Sequence, residues 1–334
     1  MVAIDVHAHI VRLEALAEMY RVHPDLAHEL VELEEGHHLR YPNGTLAPIP
    51  TKMFDIDERL AEMDRQRVDL QILAIQPRQY HYNVPPQAGA DLARIQNDAN
   101  IDLSDLHPNR FHVFLTLPLQ DLDLALRELA RVGSHPRVRG IQIGTNINGQ
   151  NLDGPHLAPL WDALVDERLP VWIHPSPTGM TALERLGSYG LVNLIGNPLE
   201  STIAIASLIF GGVLERYPTL HFGFVHGGGF APYQTGRWDH GWENRANARA
   251  VIARPPTDYF KRMFFDSLTH DRASLRLLGE RVGWHQVVIG TDYPFIMGEA
   301  DPVGAIEELG LPADAATAVL GENAERFLRP VGDG

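Results

Sequence analysis

Two histidines open the chain's chemistry. In Ile4-Asp5-Val6-His7-Ala8-His9 a short apolar run ends in a His-x-His pair. Residues two apart on a strand point to the same face. Both imidazoles then project together from the strand's C-terminal end, and two neutral imidazoles make half a site for zinc or another divalent metal. Such a pair also occurs for purely structural reasons. His174 follows Val171-Trp172-Ile173, and Asp292 follows Val287-Val288-Ile289-Gly290-Thr291. Each alone reads equally well as the cap of the next helix. His7, His9, His174 and Asp292, all at strand ends, together make a plausible divalent-metal site.

A fifth group follows the sixth apolar run, in His226-Gly227-Gly228-Gly229. The glycines let backbone or ligand approach closely, whereas a bare tight turn would make the histidine incidental. With the ligands placed elsewhere, His226 is the candidate general acid/base. A metal lowers the pKa of its water, and a nearby imidazole exchanges that proton near neutral pH. Asp292 is a second candidate for assisting proton transfer. The segment Gln76-Pro77-Arg78-Gln79-Tyr80-His81-Tyr82 combines a cation, amides and aromatic rings after the second run. It suits a planar anionic substrate, and equally a solvated loop. Arg78 and Tyr80 are therefore candidate substrate contacts. Other histidines are poorer candidates: His23, His37 and His38 fall in the first insertion, His107, His135 and His156 in or near turns, His221 at a strand start and His112 inside the third strand.

Eight strand-like runs position these groups: Ala3 to Val6, Leu70 to Ala74, Phe111 to Leu115, Val138 to Ile143, Val171 to Ile173, His221 to Val225, Met263 to Phe265 and Val287 to Ile289. Amphipathic stretches separate them, among them Leu122 to Val132, Leu157 to Glu167, Ser201 to Arg216 and Ala273 to Arg281. The alternation predicts parallel strands with helical crossovers, α/β class, and eight units predict a (β/α)8 TIM barrel. A doubly wound sheet would more often carry a Gly-rich turn after its first strand, where this chain has the histidine pair. The expected organisation is one barrel domain over 1–334. A small insertion over about 11–56 covers the barrel mouth, and a second insertion runs from Trp238 to Pro256.

The chain has 334 residues, no cysteine, and 43 acidic against 28 basic residues, for a formal charge of −15. Disulfides, thiolate-bound zinc, iron–sulfur clusters and thiol nucleophiles are excluded. The acidic balance argues against nucleic acid and anionic membrane as partners. No stretch reads as the roughly 18 apolar residues of a membrane span, nor does the start read as a signal peptide. A cytoplasmic enzyme is the expectation.

In this order the motifs resemble the amidohydrolase superfamily. More narrowly, they resemble the 2-amino-3-carboxymuconate-6-semialdehyde decarboxylase family, which includes decarboxylases of hydroxylated benzoates. Besides the groups above, the resemblance rests on Glu62-Met63-Asp64 with Val68-Asp69, Leu117-Pro118-Leu119-Gln120-Asp121-Leu122-Asp123, and Gly140-Ile141-Gln142-Ile143-Gly144. It continues through His174-Pro175, Gly236-Arg237 and Gly290-Thr291-Asp292-Tyr293-Pro294-Phe295. The resemblance implies a distorted barrel holding one divalent metal, zinc or in some members manganese, on His7, His9, His174 and Asp292. His226 then handles the metal-bound water. Arg237 binds substrate carboxylate in the neighbouring subunit's site, which implies a homodimer. Phe295 joins the substrate contacts.

One position departs. A second substrate-clamping arginine of the family aligns with Ala47, while Arg40 and Arg78 lie close enough to replace its charge. The resemblance implies non-oxidative decarboxylation of an anionic carboxylated aromatic or a muconate-semialdehyde-like substrate. The alternative is a hydrolase of a lactone, amide or carbon–carbon bond, or a hydratase, with the same site. A closed, non-catalytic metal protein is the reading from a different class.

Overall fold

The structure, a computed structural model, describes residues 2–40 and 44–328. Eight strands form one parallel sheet in sequence order: β1 (Ile4–Ile10), β2 (Leu70–Ile75), β3 (Phe111–Leu115), β4 (Val138–Ile143), β5 (Val171–Ile173), β6 (Phe222–Phe224), β7 (Phe264–Asp266) and β8 (Val287–Val288). All eight predicted runs are present. The last strand returns to the first: the Val6 N–H donates to the Ile289 carbonyl at 3.0 Å, the Asp292 N–H to His7 O at 2.7 Å, and the His9 N–H to Tyr293 O at 2.7 Å. The expected barrel is therefore observed, with its seam beside the histidine pair.

Helices alternate with the strands: α1 (Leu13–Val22) and α2 (Ile56–Arg65) before β2, α3 (Pro86–Leu106), α4 (Leu122–Val132), α5 (Ala158–Asp166), α6 (Asn197–Phe210) with α7 (Val213–Arg216), α8 (Ala231–Asn244) with α9 (Pro256–Phe260), and α10 (Arg272–Val282). Aspartates start three of them. Asp55, Asp121 and Asp271 accept the N–H groups of Glu58, Leu124 and Ser274, which satisfies donors that the first helical turn leaves unpaired. Outward strand residues such as Leu73, Ile141 and Phe224 pack under the helices. Inward ones (Ile72, Phe114, Trp172, Phe264, Val288) fill the barrel, and Phe327 near the chain's end packs among them. His7 and His9 of β1 lie toward the C-terminal strand ends, where barrel active sites lie.

Three sequence readings need correction. The expected insertion from Trp238 begins inside α8, because the helical pattern simply continues to Asn244; only residues beyond it form the connection to α9. The long helix expected from Ser201 to Arg216 breaks at Gly211-Gly212, where Gly212 is left-handed (φ 72°). The helical run Val192–Phe210, preceding and including α6, has 19 residues and mean hydropathy 1.2, enough by length and composition to cross a membrane. Its Ala204, Ile205, Leu208 and Ile209 are buried in the core cluster under the barrel helices.

The first insertion is more ordered than its composition suggests. Gly36-His37-His38 begins a strand. Glu29–Leu33, Gly36–Arg40 and Leu46–Pro48 make an antiparallel sheet. Residues 41–43 of the insertion lie outside the described residues. Val11, Leu16, Leu39 and Ile49 form a small core of their own, while Met19 and Ala15 pack α1 on Leu92 and Ile95 of α3.

Candidate metal centre and active site

The register of β1 slips between Asp5 and Ala8 against β2. Such a bulge changes which residues face inward. Below it Ile4 and Val6 join the inner apolar cluster. Above it His7 and His9 take over the inward direction, and their rings lie 5.2 Å apart. His174 ends β5 and places its ring 5.1 Å from that of His7 and 4.9 Å from that of His9. Asp292 follows β8 with a left-handed backbone (φ 55°), a conformation that aspartate tolerates better than most residues. Its Oδ1 lies 3.1 Å from His7 Nε2 and 3.2 Å from His9 Nε2.

Each imidazole is oriented from behind. His9 Nδ1 donates to the Ile75 carbonyl at 2.9 Å, and His174 Nδ1 to the Pro175 carbonyl at 2.8 Å. A carbonyl only accepts, so both rings carry their proton on Nδ1 and present a lone pair at Nε2. His7 Nδ1 meets Asp266 Oδ2 at 2.6 Å. This is the carbonyl- and carboxylate-backed arrangement of metal-binding histidines. At the centre, His7 Nε2, His9 Nε2, His174 Nε2 and Asp292 Oδ1 are all buried without a hydrogen-bond partner. Four orphaned polar atoms in one spot are costly unless something joins them. A divalent cation satisfies all four, so the donor set fits the metal that the sequence implies.

Electrostatics agree. Burial, together with the neighbouring imidazoles His9, His7 and His226, pushes the His174 pKa well down. Burial likewise lowers that of His9, against the pull of Asp292. His7 goes the other way: burial opposes its charge, but Asp292 and Asp266 raise it to about 10. Burial opposes the Asp292 charge too, yet the neighbouring His7 above all, with His226 and His9, holds its carboxyl well below the usual range. One positive charge on this carboxylate is thus already favoured, and a metal ion replaces the proton.

His226 stands at the side. Its Nε2 is 3.7 Å from Asp292 Oδ2, its ring 5.2 Å from that of His174, and its side chain keeps 15% exposure where His7 and His9 keep none. It also belongs to a group that could hold a metal ion: among the described residues, His7, His174, His226 and Asp292 each offer an atom within 4.8 Å of the others. That group exchanges His226 for the His9 of the sequence-based set. The backing separates the two. His9 Nδ1 is tied to a carbonyl, whereas His226 Nδ1 has no partner. A ring with an unfixed tautomer is better suited to moving protons than to holding a metal.

A cavity of about 440 Å3 opens from His174, His226 and Asp292. Arg78, Phe295, Asn193, Asn197 and Met297 line it. Arg78 and Phe295 are thus where the sequence placed them, and the Phe295 ring lies 5.1 Å from that of His9. Tyr80 is not. It is buried against Tyr82, ring on ring at 5.3 Å, and its hydroxyl donates to the Ile143 carbonyl at 3.3 Å. The left-handed turn at His81 follows directly, and Tyr80 props up the strand ends instead of facing the cavity. Arg237 is exposed on α8, outside this cavity.

Sequence reasoning missed the supporting layer. Asp266 also accepts the Gly227 N–H at 2.7 Å. Asp5 accepts from the His7 N–H, the Thr291 N–H and hydroxyl, and Gln71. The buried Arg59 donates to Gln71 Oε1 and the His9 carbonyl and lies 4.6 Å over the Tyr293 ring. Asp266 ends β7 as His174 ends β5, so the same strand-end rule would have found it.

The family model described as Amidohydrolase matches residues 4–329. The chain is 38% identical over 283 residues to a 2-amino-3-carboxymuconate-6-semialdehyde decarboxylase of Dictyostelium discoideum, covering 84% of this chain and 78% of the relative. Among solved structures, 5-carboxyvanillate decarboxylase from Sphingomonas paucimobilis superposes with a TM-score of 0.84 at 26% identity, covering 99% of both chains. The same enzyme of Novosphingobium aromaticivorans, complexed with manganese and 4-hydroxy-3-methoxy-5-nitrobenzoic acid, shares the fold with a TM-score of 0.83 at 22% identity over 98% of this chain and 96% of its own.

Proposed function

The chain belongs to the amidohydrolase family, among the metal-dependent carboxy-lyases, and from that premise we propose that it removes carbon dioxide from an anionic carboxylated aromatic or muconate-semialdehyde-like substrate. The observation that carries this reading is the gathering of His7, His9, His174 and Asp292, each with a buried unpartnered ligand atom, beside a cavity that Arg78 lines. We assign His7, His9, His174 and Asp292 as the ligands. When bound, a divalent cation there supplies Lewis acidity, polarising a substrate oxygen and lowering the pKa of water. Zinc is the first metal to test, because imidazoles dominate the donor set; manganese, present in the Novosphingobium relative, is the second.

The protein's own groups do the rest. Arg78 draws a carboxylate into an otherwise acidic molecule and holds it by charge-assisted hydrogen bonds. Phe295 packs against the planar part of the substrate. The bond from carbon to carboxylate breaks, carbon dioxide leaves, and that carbon takes a proton in its place. His226, beside Asp292 and open to the cavity, delivers the proton. Arg237 lies outside its own cavity, so we assign it to the site of a second copy. The exposed Tyr233, one turn earlier on α8, offers apolar surface for that contact.

The test is metal analysis of the purified protein together with carbon dioxide release from hydroxybenzoates and carboxymuconate semialdehydes. Near-stoichiometric metal with carbon dioxide release is expected. Water incorporation into a lactone or amide without carbon dioxide release would move the protein to hydrolysis.

A further inference from the structure

A second cavity, of about 170 Å3, lies between the insertion and the barrel. Leu16, Met19, Leu39 and Ile49 give it an apolar side, and Gln76, Arg78, Gln79 and His81 a polar one. An apolar cavity of about 150 Å3 is enough to take benzene. Gln76 and Arg78 line this cavity and the active-site cavity alike, so Arg78 stands on the wall between them. Ala47, from the insertion's last strand, faces the smaller one. One polar atom there has nothing to bind: His81 lines the cavity, and its Nε2 is out of contact with solvent and without a hydrogen-bond partner.

We propose that this cavity is a subsite of the active site, taking an uncharged arm of the substrate, about six heavy atoms long, that passes Arg78 and ends in an oxygen bonded to His81. The proposal rests on the decarboxylase reading above and narrows its substrate class. The carboxylated ring or diene occupies the larger cavity beside His226. Its charge meets Arg78 at the boundary. Arg78 is the only lysine or arginine lining the smaller cavity, so once it holds the first carboxylate a second charge there would have no cation of its own. The apolar side accepts methylene groups. A neutral imidazole offers one donor and one acceptor, so a hydroxyl or a carbonyl oxygen satisfies it.

Calorimetric titration of the metal-loaded protein tests this with benzoate, meta- and para-propylbenzoate, and the matching 3-hydroxypropyl compounds. A propyl arm at one ring position should tighten binding by about tenfold or more over benzoate. The terminal hydroxyl should add about fivefold. Ala47→Phe, which places a ring in the cavity, should erase both gains. His81→Asn keeps a residue that tolerates the left-handed backbone and should erase the hydroxyl's gain alone. Metal content and melting temperature check that each variant is folded, and Ile49→Phe fills the same space from another wall. If benzoate binds and no arm improves on it, the proposal is overturned while the decarboxylase reading stands. A gain that survives both cavity-filling variants overturns it as well. If no probe binds and no hydroxybenzoate loses carbon dioxide, the decarboxylase reading falls and takes the subsite with it.

Discussion

Asp266 ties His7 to the loop that carries His226. One carboxylate oxygen takes the His7 Nδ1 proton at 2.6 Å; the other accepts the Gly227 N–H at 2.7 Å and the Leu268 N–H at 3.2 Å. The proposed metal ligand His7 and the loop of the proposed proton donor His226 therefore share a single buried anchor. Asp266→Asn keeps the volume and removes the charge that fixes the imidazole. Metal affinity should fall by about 10–100-fold, the usual cost of losing such a partner. Competition with a chromophoric chelator measures it, and unchanged affinity would show that Asp266 is only a structural cap.

His174 and His226 should separate on two readouts. His174→Ala removes a ligand whose Nδ1 is already committed to Pro175, so both metal content and turnover should collapse. His226→Asn respects the left-handed backbone at that position (φ 54°) and should retain the metal while turnover drops by about 10²–10⁴-fold. Metal loss in His226→Asn would mean that the compact set with His226, and not the set with His9, holds the ion.

These distinctions show where the sequence was informative. The strands were legible because each is a short apolar run between amphipathic helices, and the clustering of His7, His9, His174 and Asp292 because all four fall at strand ends that a parallel barrel brings to one face. The β1 bulge was not legible: Ile4, Val6 and Ala8 alternating with Asp5, His7 and His9 read as one unbroken strand. The Asp5–Gln71–Arg59 chain was hidden for a related reason. Its members lie far apart in sequence and meet only when β1, β2 and α2 pack together. Tyr80 was misread because a tyrosine in a βα-loop looks available until the turn at His81 folds it inward.

Gly229 fixes how the His226 loop returns to α8. Its backbone is left-handed (φ 64°), and a Cβ there would run into the Pro198 carbonyl at the start of α6. Gly229→Ala combines conformational strain with a clash against backbone, which cannot step aside as a flexible side chain does. A loss of about 2 kcal/mol or more is expected. Denaturant unfolding measures it, and a neutral result would mean that the α6 start yields readily.

Arg237→Ala should act on another copy's site. On α8 the side chain is exposed and makes no contact with its own cavity. The variant should raise KM for an anionic substrate while leaving metal content unchanged, and size-exclusion light scattering should report a weakened dimer. Unchanged kinetics together with unchanged mass would sink the cross-subunit assignment.

His81 should leave a signature in acid. Burial, with a smaller contribution from His28, lowers its pKa from the ordinary 6.5 to about 4. The folded protein therefore keeps this ring neutral at pH values where the unfolded chain already takes up a proton. Stability from this group is intact above about pH 6.5 and drains away as the pH falls toward 4, because the unfolded state binds the extra proton across that window. The full shift corresponds to up to ~3 kcal/mol. His81→Asn removes the titration, so the stability difference between variant and parent should change by that amount between pH 7 and pH 4, the parent losing more. Denaturant unfolding of both proteins across this range reads it directly. Parallel pH profiles would mean that the ring is protonated in the folded state, and hence that its Nε2 is not the unpartnered atom seen in the insertion cavity.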